Sequence, residues 1–132
     1  MNVETVWTKL IDPSIWWHPE HTYSGSADNL TLDLSAGGFW KEEWDAGSVL
    51  HGHVLMYQKN KTLRLNAPFG PLQNMGVNVV WTITLEPAEN GGTKIQFSEK
   101  ANGNESSNLN EIAQAVDYVK QQAIERLSSN DD

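Results

Sequence analysis

The sequence contains no cysteine among its 132 residues. Disulfide bonds, thiol nucleophiles and cysteine-ligated zinc or iron–sulfur sites are therefore excluded. Basic residues are also scarce: nine lysines and arginines stand against 17 aspartates and glutamates, which gives a net charge of −8. Because affinity for nucleic acid comes largely from cationic contacts to phosphate, we predict no nucleic-acid partner.

Long apolar runs are missing as well. No run reaches the roughly 18 apolar residues needed to span a bilayer, and no charged-then-apolar leader opens the sequence. We therefore predict a cytoplasmic protein without membrane insertion. A chain of this length has the usual size of one domain and can bury a core of its own.

Tryptophan, in contrast, is abundant, with six residues in the chain. Each supplies a large apolar surface and one N–H group that needs a partner. Such a set is typical of a bulky core, and it also fits an aromatic-lined pocket. Five of the six lie in the first third of the sequence, namely Trp7, Trp16, Trp17, Trp40 and Trp44.

Apolar periodicity predicts a short helix followed by a series of strands. Helical spacing from Val3 to Leu10 indicates the first helix, which Asp12-Pro13 ends. The pattern then changes to period two, which is typical of half-buried strands. Turn residues separate these strands, and Asn90-Gly91 indicates a hairpin. The predicted strands cover residues 30–34, 39–44, 49–58, 62–67, 78–85 and 93–100.

A long amphipathic helix is predicted from about residue 108 to residue 127. Asn108 and Glu111 have capping-box spacing, and the apolar residues that follow, including Val116, lie on one face of the predicted helix. Short helices, about six antiparallel strands and one long helix together describe an α+β domain.

Several short stretches have a familiar order and spacing. They are Val6-Trp7 with Leu10, residues 16–25, Gly37-Gly38 with Glu42, Val49 with His51 and Val54, residues 63–65, residues 70–73, Gly92-Thr93, and residues 115–117 with Arg126-Leu127. Together they resemble the START-like (SRPBCC) superfamily, and within it the subgroup of activators of the heat-shock chaperone ATPase. The resemblance covers nearly the whole chain as one domain, residues 1–132. It implies a helix-grip fold, in which a curved antiparallel sheet holds a long C-terminal helix packed across it.

The resemblance also implies a cavity for a small molecule. Our leading hypothesis is the binding of a hydrophobic or amphipathic ligand between the sheet and the C-terminal helix. A cyclase- or hydrolase-type enzyme that uses a His/Glu cluster is the second hypothesis, and a co-chaperone-like interaction module is the third. The candidate ligand-binding residues are Trp17, His21, Trp40, Glu42, Trp44, His51, Phe69, Leu72, Trp81 and Val116.

The histidines form two close pairs, His18 with His21 and His51 with His53. Residues i and i+2 of a strand share a face, so the second pair and Glu42 could hold zinc. The glutamate that cupins place after such a pair is missing, and we predict no metal and no cofactor. His21, Glu42 and His51 match the pattern of the chaperone-activating subgroup. This resemblance implies that Glu42 lies within hydrogen-bonding or single-water reach of His51, with His21 nearby. This cluster could perform acid–base chemistry or simply fix the loop of residues 17–24.

START-like domains open with a strand before the first short helix. Here the helical pattern begins at Val3 and leaves no room for that strand. The strand of residues 93–100 is then predicted to have an unpaired edge, which invites pairing with another chain. Three alternatives stay open. An oligomer covers the edge, or the natural translation start lies upstream of Met1, or water and the C-terminal segment satisfy the edge.

Overall fold

The structure is a computed structural model that describes residues 1–68, 73, 77–89, 91–102, 121 and 125. A six-stranded antiparallel sheet makes up most of it. The strands lie side by side in chain order, each paired with the next. They are β1 (Leu30–Leu32), β2 (Phe39–Trp44), β3 (Gly47–Gln58), β4 (Thr62–Asn66), β5 (Asn78–Pro87) and β6 (Thr93–Asn102).

Two short helices precede the sheet, and side-chain caps define where they begin. Helix α1 (Val3–Leu10) starts where Asn2 Oδ1 accepts the Thr5 N–H at 2.9 Å. Helix α2 (Pro13–Trp16) starts where Asp12 caps Ser14. Both caps satisfy N–H groups that a helix leaves without an internal partner. Among the described residues, no helix has the length and hydropathy needed to cross a bilayer.

The predicted fold class, a helix-grip fold, is wrong. The described part of the chain is largely sheet, and the α-helices that it defines are α1 and α2, not a long C-terminal helix packed across the strands. The segment of residues 108–127, where that helix was predicted, lies outside the described residues apart from 121 and 125. Helical periodicity reports which face of a segment is apolar. It does not report what that face packs against. The predicted packing of the helix across the sheet rested on the resemblance to the START-like superfamily.

The hydrophobic core lies on one face of the sheet. Alternate residues of each strand point to that face because successive side chains of a strand point to opposite sides. On β2 and β4, for example, Trp40, Leu63 and Leu65 are buried. Helices α1 and α2 add Trp7, Leu10 and Trp16 to the same cluster, so the short N-terminal helices cover part of the sheet.

Strand β3 is interrupted by two irregularities. Trp40 pairs with Gly52 and Lys41 pairs with Leu50, which leaves His51 as an extra residue. Val54 pairs with Leu65 and Met56 pairs with Arg64, which leaves Leu55 as a second extra residue. Such β-bulges bend a strand and re-aim its side chains. The first bulge turns His51 toward the buried face.

Gly52 is needed where β3 approaches β4. A Cβ atom at this position would lie 2.4 Å from the carbonyl oxygen of Asn66 and 2.8 Å from Cα of Ala67. Because both contacts are to backbone, Gly52→Ala is expected to lower the free energy of unfolding by about 1–3 kcal/mol. Ser48→Ala, at an exposed position of the same strand, is the control, expected within about 0.5 kcal/mol of the native chain in urea unfolding. Equal stability of the two variants would contradict this packing.

Candidate functional site

Glu42 and His51 form a buried pair on the core face of the sheet. Strand β2 places Glu42 there through its alternation, and the bulge in β3 places His51 opposite. The distance between Glu42 Oε1 and His51 Nε2 is 2.8 Å, and both side chains are fully buried. The predicted contact between these two residues is confirmed.

The Glu42 carboxylate also fastens the loop that precedes β1. Its Oε1 accepts the backbone N–H of Tyr23 at 3.1 Å, and its Oε2 accepts that of Ser24 at 2.5 Å. Hydrogen bonds to an ionised acceptor are stronger than those between neutral groups. The carboxylate therefore holds the loop and the imidazole at the same time. Fixing this loop was one of the two roles predicted for the cluster.

These contacts set the ionisation of the pair. Burial by itself raises the pKa of Glu42, but hydrogen bonds from Ser24, His51 and Tyr23 outweigh it and leave the pKa below 4.5. Burial also lowers the pKa of His51 below 6.5, against the opposing effect of Glu42. At neutral pH the site thus holds a carboxylate and a neutral imidazole. Because a carboxylate only accepts, the ring proton lies on His51 Nε2 and the lone pair on Nδ1.

Two buried nitrogen atoms next to this pair have no hydrogen-bond partner in the described part of the chain. One is His51 Nδ1, an acceptor, and the other is Trp40 Nε1, a donor. Their rings are neighbours, with centroids 5.3 Å apart. Most buried polar groups in proteins are paired with protein or ordered water. His51 Nδ1 and Trp40 Nε1 are therefore an acceptor and a donor that the described residues leave without a hydrogen bond.

Trp40 also belongs to a cluster of three tryptophan rings. The Trp17 ring lies 5.0 Å from that of Trp40 and 5.9 Å from that of Trp81, and Trp40 and Trp81 are 6.3 Å apart. All three side chains are buried. The two polar atoms without a partner therefore lie beside a buried and largely apolar cluster.

The other predicted site residues lie in different places. His21 contacts Trp17, with ring centroids 6.1 Å apart, and its carbonyl accepts the Trp17 Nε1–H at 3.2 Å. Trp17 in turn contacts Trp40, the neighbour of His51. Trp44 is half-buried and stacks on Tyr23 at 6.4 Å. Three predicted residues, Phe69, Leu72 and Val116, lie outside the described residues.

The hypothesis that His51 and His53 share a face is wrong. The bulge at His51 breaks the alternation, and His53 lies opposite Phe39 and Asn66 on the other face of the sheet. Within the residues that the structure describes, no group of three or more histidine, aspartate or glutamate side chains could hold a metal ion.

Tyr23 is a site residue that we did not predict. Its ring lies 5.9 Å from the His51 ring, and the side chain is 51% exposed. It therefore connects the buried pair with solvent. Its backbone bond to Glu42 has no signal in the sequence, since every residue but proline carries the same N–H.

Solved structures with the same fold come from several bacteria. A protein from Mesorhizobium loti has 20% identity and a TM-score of 0.63, and the match covers 96% of this chain and 85% of that one. An uncharacterised protein from Rhizobium leguminosarum gives 18% and 0.63, with 96% and 84% covered. A conserved protein from Geobacillus kaustophilus gives 19% and 0.58, with 96% and 85% covered. At identities this low the similarity concerns the fold alone.

No family model and no curated protein matches the chain. The resemblance to the START-like superfamily and to its chaperone-activating subgroup therefore stays a prediction.

The ionisation of the pair predicts how stability depends on pH. The folded pKa of His51 is lowered, so below about pH 6.5 the unfolded chain takes up this proton first and the free energy of unfolding falls. The pKa of Glu42 is lowered too, so a second decline begins at about pH 4.5. Urea unfolding at a series of pH values measures both declines.

His51→Gln is expected to weaken the first decline, because it removes one of the titrating groups. His21, whose pKa is also lowered by burial and by His18 against an opposing effect of Glu20, contributes the remainder in the same direction. His53→Gln, on the other face of the sheet, is the matched control and should keep the native profile. A native profile for His51→Gln would show that His51 is not the titrating group.

Proposed function

We propose that the protein binds a small apolar molecule that carries a hydroxyl group. The observation that carries this proposal is the pair of open atoms, His51 Nδ1 and Trp40 Nε1, inside the buried aromatic cluster. A hydroxyl group is both a donor and an acceptor. It can donate to Nδ1 and accept from Nε1–H, while the apolar part of the ligand packs against Trp17 and Trp81.

The charge of the site supports an uncharged ligand. The Glu42 carboxylate contacts the same imidazole that would meet the ligand, and a second anion would be repelled at this distance in a buried site. Tyr23 is exposed and its ring contacts the His51 ring. A ligand would therefore enter the site beside Tyr23.

Binding of n-octanol, followed by quenching of tryptophan fluorescence, tests the proposal. The matched probes are n-octyl methyl ether, which cannot donate, and octanoate, which is charged. The ether is expected to bind about tenfold more weakly than the alcohol, as the loss of one buried hydrogen bond predicts. Native mass spectrometry of the freshly purified protein shows directly whether a ligand of this class is retained.

Two variants assign the effect to the open atoms. His51→Gln keeps a donor toward Glu42 but removes the Nδ1 acceptor, so the preference for the alcohol over the ether should disappear. His53→Gln should preserve it. Equal binding of all three probes, or the absence of saturable binding, would mean that the two atoms hold no more than a buried water molecule.

The same geometry favours catalysis as a second candidate function. A carboxylate on Nε2–H with an open Nδ1 lone pair is the arrangement of an oriented general base, and the lowered pKa of His51 keeps that base neutral at neutral pH. Ester hydrolysis is the reaction to assay. A rate that rises with pH, reaches a plateau above the pKa of His51 and is lost in His51→Gln would support it, and an unchanged rate in that variant would exclude it.

The remaining expectations about partners stay predictions. Strand β6 is the last strand in the order of the sheet, and the described residues place β5 on one side of it. An oligomer that covers its other side would show as a concentration-dependent mass in sedimentation, and a strictly monomeric chain would rule it out. Neither the cytoplasmic location nor the co-chaperone-like role is favoured by a contact in the part of the chain described here.

A further inference from the structure

A cleft lies on the face of the sheet opposite to the Glu42–His51 pair. Its volume is about 150 Å³. Leu50 and His53 belong to the exposed face, since they pair with Lys41 and Phe39 of β2. The residues that line the cleft are Leu50, Gly52, His53, Asn66, Pro68, Gln73 and Asn78.

Among the described residues, the lining mixes polar and apolar groups and carries no carboxylate, lysine or arginine. Three carboxamides, those of Asn66, Gln73 and Asn78, supply both donors and acceptors, and Leu50 and Pro68 supply apolar contacts. An ion that enters such a cleft loses hydration and finds no opposite charge in return. The chemistry of the lining therefore selects a neutral molecule.

Asn66 gives the cleft its most specific group. Its Oδ1 atom is buried and accepts no hydrogen bond from the described residues. Gln73 Nε2 donates to the Leu50 carbonyl at 2.7 Å, which connects Gln73 to strand β3. Gly52 brings the backbone of β3 against Asn66, where a side chain would collide with the Asn66 carbonyl. A buried acceptor without a partner among the described residues can accept a hydrogen bond from a bound molecule.

We infer that this cleft binds a small uncharged molecule with N–H or O–H donors, of the amide or polyol class, and that Asn66 Oδ1 accepts one of them. The volume equals that of about five water molecules in the liquid, which is enough for a group of acetamide or glycerol size. This site is separate from the aromatic cluster and does not depend on the function proposed for it.

Three probes of similar size and different charge test the inference: acetamide, acetate and methylammonium. Each is titrated into isotopically labelled protein, and the side-chain amide signals of Asn66, Gln73 and Asn78 are followed by NMR. Acetamide is expected to give saturable shifts of all three, with millimolar affinity because so small a probe makes few contacts. Acetate and methylammonium should leave them unshifted. Preferential binding of either ion, or no saturable shift with acetamide, would overturn the inference.

Variants link the shifts to the proposed contact. Asn66→Leu removes the acceptor and is expected to weaken acetamide binding about tenfold, and Asn78→Ala, at an exposed position, about threefold. Gln96→Leu, an exposed amide on β6, is the matched control and should bind as the native chain does. Should Asn66→Leu lose its dispersed spectrum, Asn78→Ala decides the question, and native affinity in that variant would count against the cleft. His51→Gln should leave acetamide binding unchanged.

Discussion

Glu42→Leu is expected to lower the free energy of unfolding by about 3–5 kcal/mol, because each buried hydrogen-bond donor left without an acceptor costs about 1–3 kcal/mol. The change leaves three donors without their acceptor: the imidazole of His51 and the backbone N–H groups of Tyr23 and Ser24. Domains of this size have total stabilities of about 5–15 kcal/mol. The variant should therefore unfold at much lower urea concentration, with tryptophan fluorescence as the signal.

The neighbouring residue provides the control. Glu43 lies on the same strand with its side chain exposed, and its ion pair with Lys41, at 2.6 Å, is open to solvent. Exposed pairs contribute little, so Glu43→Leu should stay within about 0.5–1 kcal/mol of the native chain. If both leucine variants had the same stability, the Glu42 contacts would not be holding the loop and the imidazole together.

A double variant separates the pair from the loop. Combining Glu42→Leu with His51→Leu removes the imidazole donor that the single change leaves unpaired, so the double change should cost less than the sum of the two single changes by about 1–3 kcal/mol. The N–H groups of Tyr23 and Ser24 lose the Glu42 acceptor equally in the Glu42→Leu single variant and in the double variant. A sum that is fully additive would indicate that the 2.8 Å contact between Glu42 and His51 contributes nothing by itself.

The positions of the strands could be predicted from the sequence because period-two alternation is a local property. Residues 62–67, predicted as a strand, contain β4 (Thr62–Asn66), and the first helix was predicted with the limits of α1. The contact between Glu42 and His51 was predicted from the resemblance, whose pattern includes both residues, and the 2.8 Å distance confirms it. The packing of the elements is not local, and the fold class taken from a resemblance was wrong for that reason.

The bulges in β3 show what alternation alone misses. Counting by twos puts His51 and His53 on one face, whereas the extra residue at His51 separates them. A signal was present, because an isolated glycine within a strand indicates a bulge or a close backbone approach, and Gly52 stands between the two histidines. The open atoms of His51 and Trp40 had no such signal, because they depend on which neighbours are missing in three dimensions.

Trp17→Ala is expected to cost about 3–5 kcal/mol, the usual penalty for truncating a fully buried aromatic residue. The Trp17 ring has no exposed surface and contacts the rings of Trp16, Trp40 and Trp81. Phe39→Ala, with a ring that is 53% exposed, should cost less than about 1 kcal/mol. Urea unfolding measures both, and similar losses for the two variants would mean that Trp17 is not central to the core.

The cavity left by Trp17→Ala also allows a test of the packing by rescue. Rigid apolar cavities stay open after truncation and bind molecules of the missing shape, so indole should enter the space between Trp40 and Trp81. A ligand that binds the folded chain alone raises stability by RT ln(1 + [L]/Kd), which is about 2.7 kcal/mol at a hundredfold excess over Kd. Indole should therefore restore much of the lost stability in Trp17→Ala and leave Phe39→Ala unchanged. If indole failed to rescue, the Trp16, Trp40 and Trp81 rings would have closed over the gap, and the aromatic cluster would be too adaptable to present His51 and Trp40 at a fixed place.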